Sequence, residues 1–213
     1  MRKLEDFNAE DRIDLKLLEN NTYFLNGEIS EESVGPCAKW LICENLDVSK
    51  EKVLTLYINS TGGDLYQAFG LIDVMQSSPH VVRCIGIGSV MSAAFLIFAA
   101  ADRGQRYAAK YTSFMCHQFS ENMENKYHDL KATMRENDIC NDKMINILKE
   151  ATGLAPSVIK KKLLPPSDVY LTAQVPDEKF EAGVCFKSQP PGHHALDRRP
   201  QCSPALWDHP CAK

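Results

Sequence analysis

Two nearly continuous apolar runs separated by a glycine-bearing turn and a helical stretch constrain this chain most. Val53-Leu54-Thr55-Leu56-Tyr57-Ile58 reads as a strand of the kind buried in parallel sheets. It runs into Asn59-Ser60-Thr61-Gly62-Gly63 and then a helix from Asp64 to about Gln76, with Leu65, Ala68, Ile72 and Met75 on one face. Pro79 ends that connection, and Val81 to Gly88 is a second buried strand. Ser89 to Ala101 reads as a turn followed by an apolar helix, and Ser113 to His117 as a third strand. Parallel neighbours need a crossover, and this alternation supplies one each time, so the sequence predicts an α/β fold with right-handed βαβ connections.

The flanks extend the pattern. Tyr23-Phe24-Leu25 before Asn26-Gly27 reads as a short strand and turn. Glu31 to Leu46 reads as a helix with Val34, Cys37, Ala38 and Leu41 on one face. A long helix is expected from about Glu124 to Ala151, with Tyr127, Leu130, Met134, Ile145 and Leu148 as a broken apolar stripe and Gly153 as its stop. Residues 1–20 are charged and weakly patterned. Residues 188–213 hold five prolines, three histidines and two cysteines without helix or strand period, the composition of a disordered tail. The spacing of His193, His194, Cys202, His209 and Cys211 matches no zinc pattern, so neither metal nor cofactor is expected.

The chain has 213 residues, enough for one ordinary domain with a real core. A net charge of −4 argues against nucleic-acid binding, and Lys160-Lys161-Lys162 reads as a solvated surface. Nothing approaches the roughly 18 apolar residues of a membrane span. The acidic turn at Met1-Arg2-Lys3-Leu4-Glu5-Asp6 resembles neither a secretory signal nor a transit peptide. Eight cysteines without a C-x-x-C pair, with Cys84 and Cys116 inside strand-like runs, read as reduced thiols in an intracellular, cytoplasmic setting.

Three segments carry chemistry. Gly62-Gly63 after a buried strand lets backbone N–H groups approach a ligand, although a strand-to-helix turn often holds glycine for geometry alone. Ser89 and Ser92 lie before an apolar helix, where developing negative charge is favoured, and either could instead merely cap that helix. His117 at a strand end becomes a base only with a nucleophile in hydrogen-bond reach.

Taken in order, these segments resemble the ClpP family of serine peptidases. Ile58 to Gly63 is similar to its I-N-S-P-G-G loop with Thr61 for proline, Ser92 to Leu96 to its S-M-G-A-F-L, and Met115 to Gln118 to its M-I-H-Q. Counting back from His117, Ser92 and not Ser89 falls at the family's serine position. Gly104-x-Arg106 falls on its G-K-R, and the same register continues to Thr152-Gly153. The family's aspartate, before an aromatic-L-S/T-A segment, corresponds to Asp168 after a short insertion in Leu164-Pro165-Pro166-Ser167. A turn-forming aspartate is the plain alternative there.

The resemblance implies a ClpP/crotonase-like spiral of ββα units with a projecting handle helix. The peptidase domain would span 21–187, with the handle at about 119–152, between the short segment 1–20 and the tail 188–213. It implies catalysis by Ser92, His117 and Asp168, with an oxyanion hole made by the N–H groups of Gly63 and Ala93. It implies polypeptide substrates, a homo-oligomeric ring (a tetradecamer of two heptamers) and an AAA+ Clp unfoldase as partner.

Several positions depart from the family. The axial-loop segment is not recognisable in residues 1–20, Glu121-Asn122 stand where a glycine pair is usual, and Ser167 replaces an arginine. Glu178 to Cys185 is only loosely similar. A catalytically silent ring subunit, a virus-encoded maturation protease and a crotonase-type acyl-CoA enzyme are the competing readings.

Overall fold

The computed structural model describes residues 8–120 and 126–172. The expectations for Glu121-Asn122, for the segment Glu178 to Cys185 and for the tail 188–213 with its histidines and cysteines lie outside those residues.

The chain begins with α1 (Ala9–Glu19), β1 (Thr22–Asn26) and α2 (Glu31–Asn45). It continues through β2 (Val53–Ser60), α3 (Leu65–Gln76), β3 (Val81–Met91) and α4 (Ala93–Ala99). The last elements are β4 (Arg106–Ala108), β5 (Ser113–Cys116), α5 (Tyr127–Thr152), α6 (Pro156–Lys162) and β6 (Val169–Thr172). One sheet runs β1-β2-β3-β5-β6, and β4 pairs with an earlier stretch of the same β3 edge that β5 uses. All pairs are parallel except β5–β6. The α/β expectation is met, and a helix lies between successive parallel partners β1, β2 and β3.

In β2, burial alternates rather than covering both faces. Leu54, Leu56, Ile58 and Ser60 are buried while Val53, Thr55, Tyr57 and Asn59 are half-exposed. The buried set joins Val34, Cys37 and Leu41 of α2, Leu65, Ala68, Ile72 and Met75 of α3, and the whole of α4 in one core. Every residue of α4 is buried, so this short helix is apolar all round because it has no solvent face. Phe95 and Phe98 meet Phe114 of β5 at centroid distances of 6.1 and 5.1 Å. Truncating one such ring costs about 3–5 kcal/mol.

Three local readings are corrected. Residues 9–19 form a helix capped by Asn8, whose Oδ1 accepts from the Asp11 N–H at 2.8 Å. α1 buries no residue completely, which is why its sequence shows no sharp apolar period. Ser89 belongs to β3, which runs on to Met91 before the chain turns. β4 and α6 were not expected; they are three and seven residues long, too short for a clear period. The lysine run closes α6, with Lys160 and Lys161 exposed.

Arg106 locks the base of α5 to the body. It is 6% exposed, and its Nε and Nη2 donate to the Ala101 carbonyl while Nη1 donates to that of Ala151 at 2.7 Å. A guanidinium thus meets the carbonyl ends of α4 and α5, where helix dipoles favour positive charge. Towards its start α5 leaves the core: Tyr127 and Met134 are exposed, whereas Cys140, Met144, Ile145 and Leu148 are buried. Among the described residues no helix is long and apolar enough to cross a membrane.

Candidate active site

A bulge in β3 aims the strand at the site. Ile58 of β2 pairs with Gly86, yet Ser60 pairs with Val90, so β3 carries extra residues between the two pairs. Gly88 takes φ +60 there, and a Cβ on it would lie 2.6 Å from Asn59 Oδ1. That oxygen instead accepts the Ser89 N–H at 3.1 Å, while Asn59 Nδ2 donates to Asn26 Oδ1 at 2.8 Å. Asn59 therefore braces the bulge across three strands. Ser89 Oγ is also turned to Asn59, at 3.4 Å.

Ser92 occupies the joint between β3 and α4 with φ 54° and ψ −124°. A non-glycine residue there costs about 1–3 kcal/mol and persists only where its surroundings impose it. Its N–H donates to the Met115 carbonyl at 2.8 Å, and its own carbonyl accepts the Phe95 N–H at 2.9 Å. The sharp turn points the side chain out of the sheet, and Ser92 Oγ lies 2.7 Å from His117 Nε2. His117 follows the last residue of β5, the parallel neighbour of this part of β3. Of the two candidate serines, Ser92 is the one brought to the imidazole.

The glycine pair packs against the same joint. A Cβ on Gly62 would lie 2.6 Å from Ser92 Cβ, 2.8 Å from the Met91 carbonyl oxygen and 3.2 Å from the Ala93 nitrogen, so only glycine fits. Ile29 donates to the Gly62 carbonyl at 2.9 Å and accepts from the Asp64 N–H at 2.7 Å. In a parallel bridge of this kind the central residue, Gly63, directs its own N–H away from that partner. Ala93 opens α4, where a helix leaves its N–H without an internal acceptor. Neither the Gly63 nor the Ala93 N–H finds an acceptor among the described residues. Asp64 then caps α3 by accepting from the Tyr66 and Gln67 N–H groups.

Asp168 immediately precedes β6. Cys116 pairs with Val169, and one more step in that antiparallel register sets Asp168 opposite His117. The ladder ends at the Cys116–Val169 pair, so His117 and Asp168 leave it from neighbouring strand ends. Here the carboxylate is exposed and shares no hydrogen bond or ion pair with His117. The structure thus joins two of the three expected side chains and leaves the third adjacent.

Cys116, next to His117, is no rival nucleophile. Burial pushes its thiol up to about 12, so it stays protonated at neutral pH. Two contributors escaped the sequence reading, the Asn59 brace and a bond from Gln118 Nε2 to the Leu164 carbonyl at 2.8 Å. Both residues stand inside motifs already singled out, but nothing in their spacing names the partner.

Comparison with known proteins gives the chain's family. The chain is 33% identical over 116 residues to the ATP-dependent Clp protease proteolytic subunit 2 of Thermobifida fusca (strain YX), a match covering 54% of this chain and 57% of that one. It is 29% identical over 141 residues to the ATP-dependent Clp protease proteolytic subunit 2 of Treponema pallidum (strain Nichols), covering 66% of this chain and 70% of that one. The family model for Clp protease matches residues 7–184, and the chain belongs to that family.

Proposed function

We propose that this ClpP-type chain is a serine endopeptidase with Ser92 as nucleophile, His117 as general base and Asp168 as the acid that orients the imidazole. The observation that carries the reading is the 2.7 Å separation of Ser92 Oγ and His117 Nε2 at a strained, half-buried turn. With its proton on Nδ1, His117 accepts the Ser92 hydroxyl proton as Oγ attacks the peptide carbonyl carbon. The oxyanion that forms is received by the N–H groups of Gly63 and Ala93. His117 then hands the proton to the leaving amine, the C–N bond breaks, and an acyl ester remains on Ser92. Water, deprotonated by His117, attacks the ester carbonyl; His117 returns that proton to Ser92 Oγ as the ester C–O bond breaks, which releases the carboxylic acid and restores the free serine. Asp168 rotates onto Nδ1–H, fixing the tautomer and stabilising the imidazolium.

The peptidase domain spans 21–187 with its handle at about 119–152, and it works within a ring, as a tetradecamer. Tyr127 and Met134 share one face of α5 and are exposed by 65% and 58%, which supports this because an apolar stripe on a projecting helix needs a partner. The substrates are polypeptides delivered by an ATP-dependent unfoldase. The free thiols Cys37, Cys43, Cys84, Cys116 and Cys140 support a reducing compartment such as the cytoplasm.

The unengaged Asp168 favours one second reading, a catalytically silent ring subunit. A fluorophosphonate probe separates the two. The active enzyme labels at Ser92 and loses peptide hydrolysis by about 10³-fold or more in Ser92→Ala. An unlabelled wild-type chain would leave the silent subunit standing.

A further inference from the structure

His117 sits between two anchors that hold the same short loop. On one side Cys116 pairs with Val169 in the β5–β6 ladder. On the other, Gln118 Nε2 donates to the Leu164 carbonyl at 2.8 Å. Leu164 is itself fixed: it is 2% exposed, and its N–H donates to the Ile159 carbonyl at 3.0 Å where α6 ends. Between these anchors lie only Pro165, Pro166, Ser167 and Asp168. The loop is clamped at both ends by the residues that flank His117. Proline rings fix φ at two of its positions. Freedom to aim the carboxylate is left chiefly to Ser167 and Asp168.

Asp168 needs such restraint because it is exposed and unbonded to His117. A carboxylate on a free loop would spend its time in water. A displacement of about 1 Å in a reacting group costs up to about 100-fold in rate. The Leu164 carbonyl, in turn, belongs to a buried residue, and the Gln118 amide satisfies it.

We propose that Gln118 is a positioning residue: through Leu164 it holds the loop 165–168 across His117, so that Asp168 closes onto Nδ1 from a short, fixed distance. This rests on the peptidase reading above. The Gln118 amide is committed to the Leu164 carbonyl and touches no reacting atom. The role requires a donor, which a carboxylate at this position lacks.

The test measures kcat and KM for peptide hydrolysis in Gln118→Met and Gln118→Glu, each alone and combined with Asp168→Asn, in the full chain, with melting temperatures alongside. Each Gln118 variant is expected to lower kcat by about 10- to 100-fold with KM changed by less than about twofold. On the Asp168→Asn background the further loss should be under about twofold, because the carboxylate through which Gln118 acts is already gone. Full multiplication of the two losses overturns the proposal, as does wild-type kcat in both Gln118 variants. Should those variants not fold, Pro166→Gly loosens the same loop at an exposed position. It should show the same loss confined to kcat, again absorbed by Asp168→Asn, and wild-type kcat there also overturns the proposal. Failure of the parent reading looks different: wild-type Ser92 then does not label with fluorophosphonate at all.

Discussion

Replacing Ser92 by alanine and by glycine should separate chemistry from strain. Both variants lose the hydroxyl and with it the expected hydrolysis. Alanine keeps the Cβ, and so keeps the cost of holding φ 54° and ψ −124°. Glycine adopts that region freely, which returns about 1–3 kcal/mol. Against this stands the larger backbone entropy that glycine loses on folding, about 0.5–1 kcal/mol. Ser92→Gly should therefore be more stable than Ser92→Ala by about 0.5–2 kcal/mol, a shift of about 1–8 °C for a chain of this size. Denaturant unfolding followed by tryptophan fluorescence, at matched protein concentration so that assembly does not intervene, reads the difference. Equal stability, or a less stable glycine variant, would refute the view that the turn at Ser92 stores strain in the folded chain.

Arg106→Leu should cost about 3 kcal/mol, because it strips donors from buried carbonyls at the ends of α4 and α5; a melting temperature within about 1 °C of wild type would contradict the tie. Stability should fall as pH rises above about 9, since the unfolded thiols ionise there while burial holds Cys37, Cys84 and Cys116 above the ordinary range, Cys116 up to about 12. Each such thiol removes about 1.4 kcal/mol per pH unit in that window, and Cys116→Ala should flatten the decline measured by denaturant titration. Activity should rise with protein concentration as rings close, with single rings well populated; sedimentation velocity over a dilution series that found a fully active monomer throughout would remove the assembly proposal.

The central fold was legible because its elements are long and their apolar periods clean. Leu65, Ala68, Ile72 and Met75 mark the buried face of α3 at helical spacing, and all four are in the core. The corrections fall where burial leaves no pattern. α1 packs beside β1 with no fully buried side chain, so its sequence resembles any charged segment. β3 runs past Gly88 because Asn59 replaces the missing ladder bonds at the bulge, and a glycine and a serine in sequence look like a turn.

The site divides along the same line. Ser92 and His117 could be placed because the family resemblance runs through both without a gap, and the structure sets them just past the ends of neighbouring parallel strands. Asp168 lies beyond a helix and a proline-containing loop, so sequence spacing cannot carry its position, and only the antiparallel register of β6 returns it to His117. A parallel pair can present two groups side by side at one end of the sheet. A third group that must approach the imidazole from its far side has to come from the next strand outward. β6 is that strand, and as the edge of the described sheet it has one partner, β5. Asp168 lies in the loop just before this edge strand, outside its ladder. In the proposed set Ser92 and His117 already meet, and the engagement of Asp168 depends on the loop that delivers it.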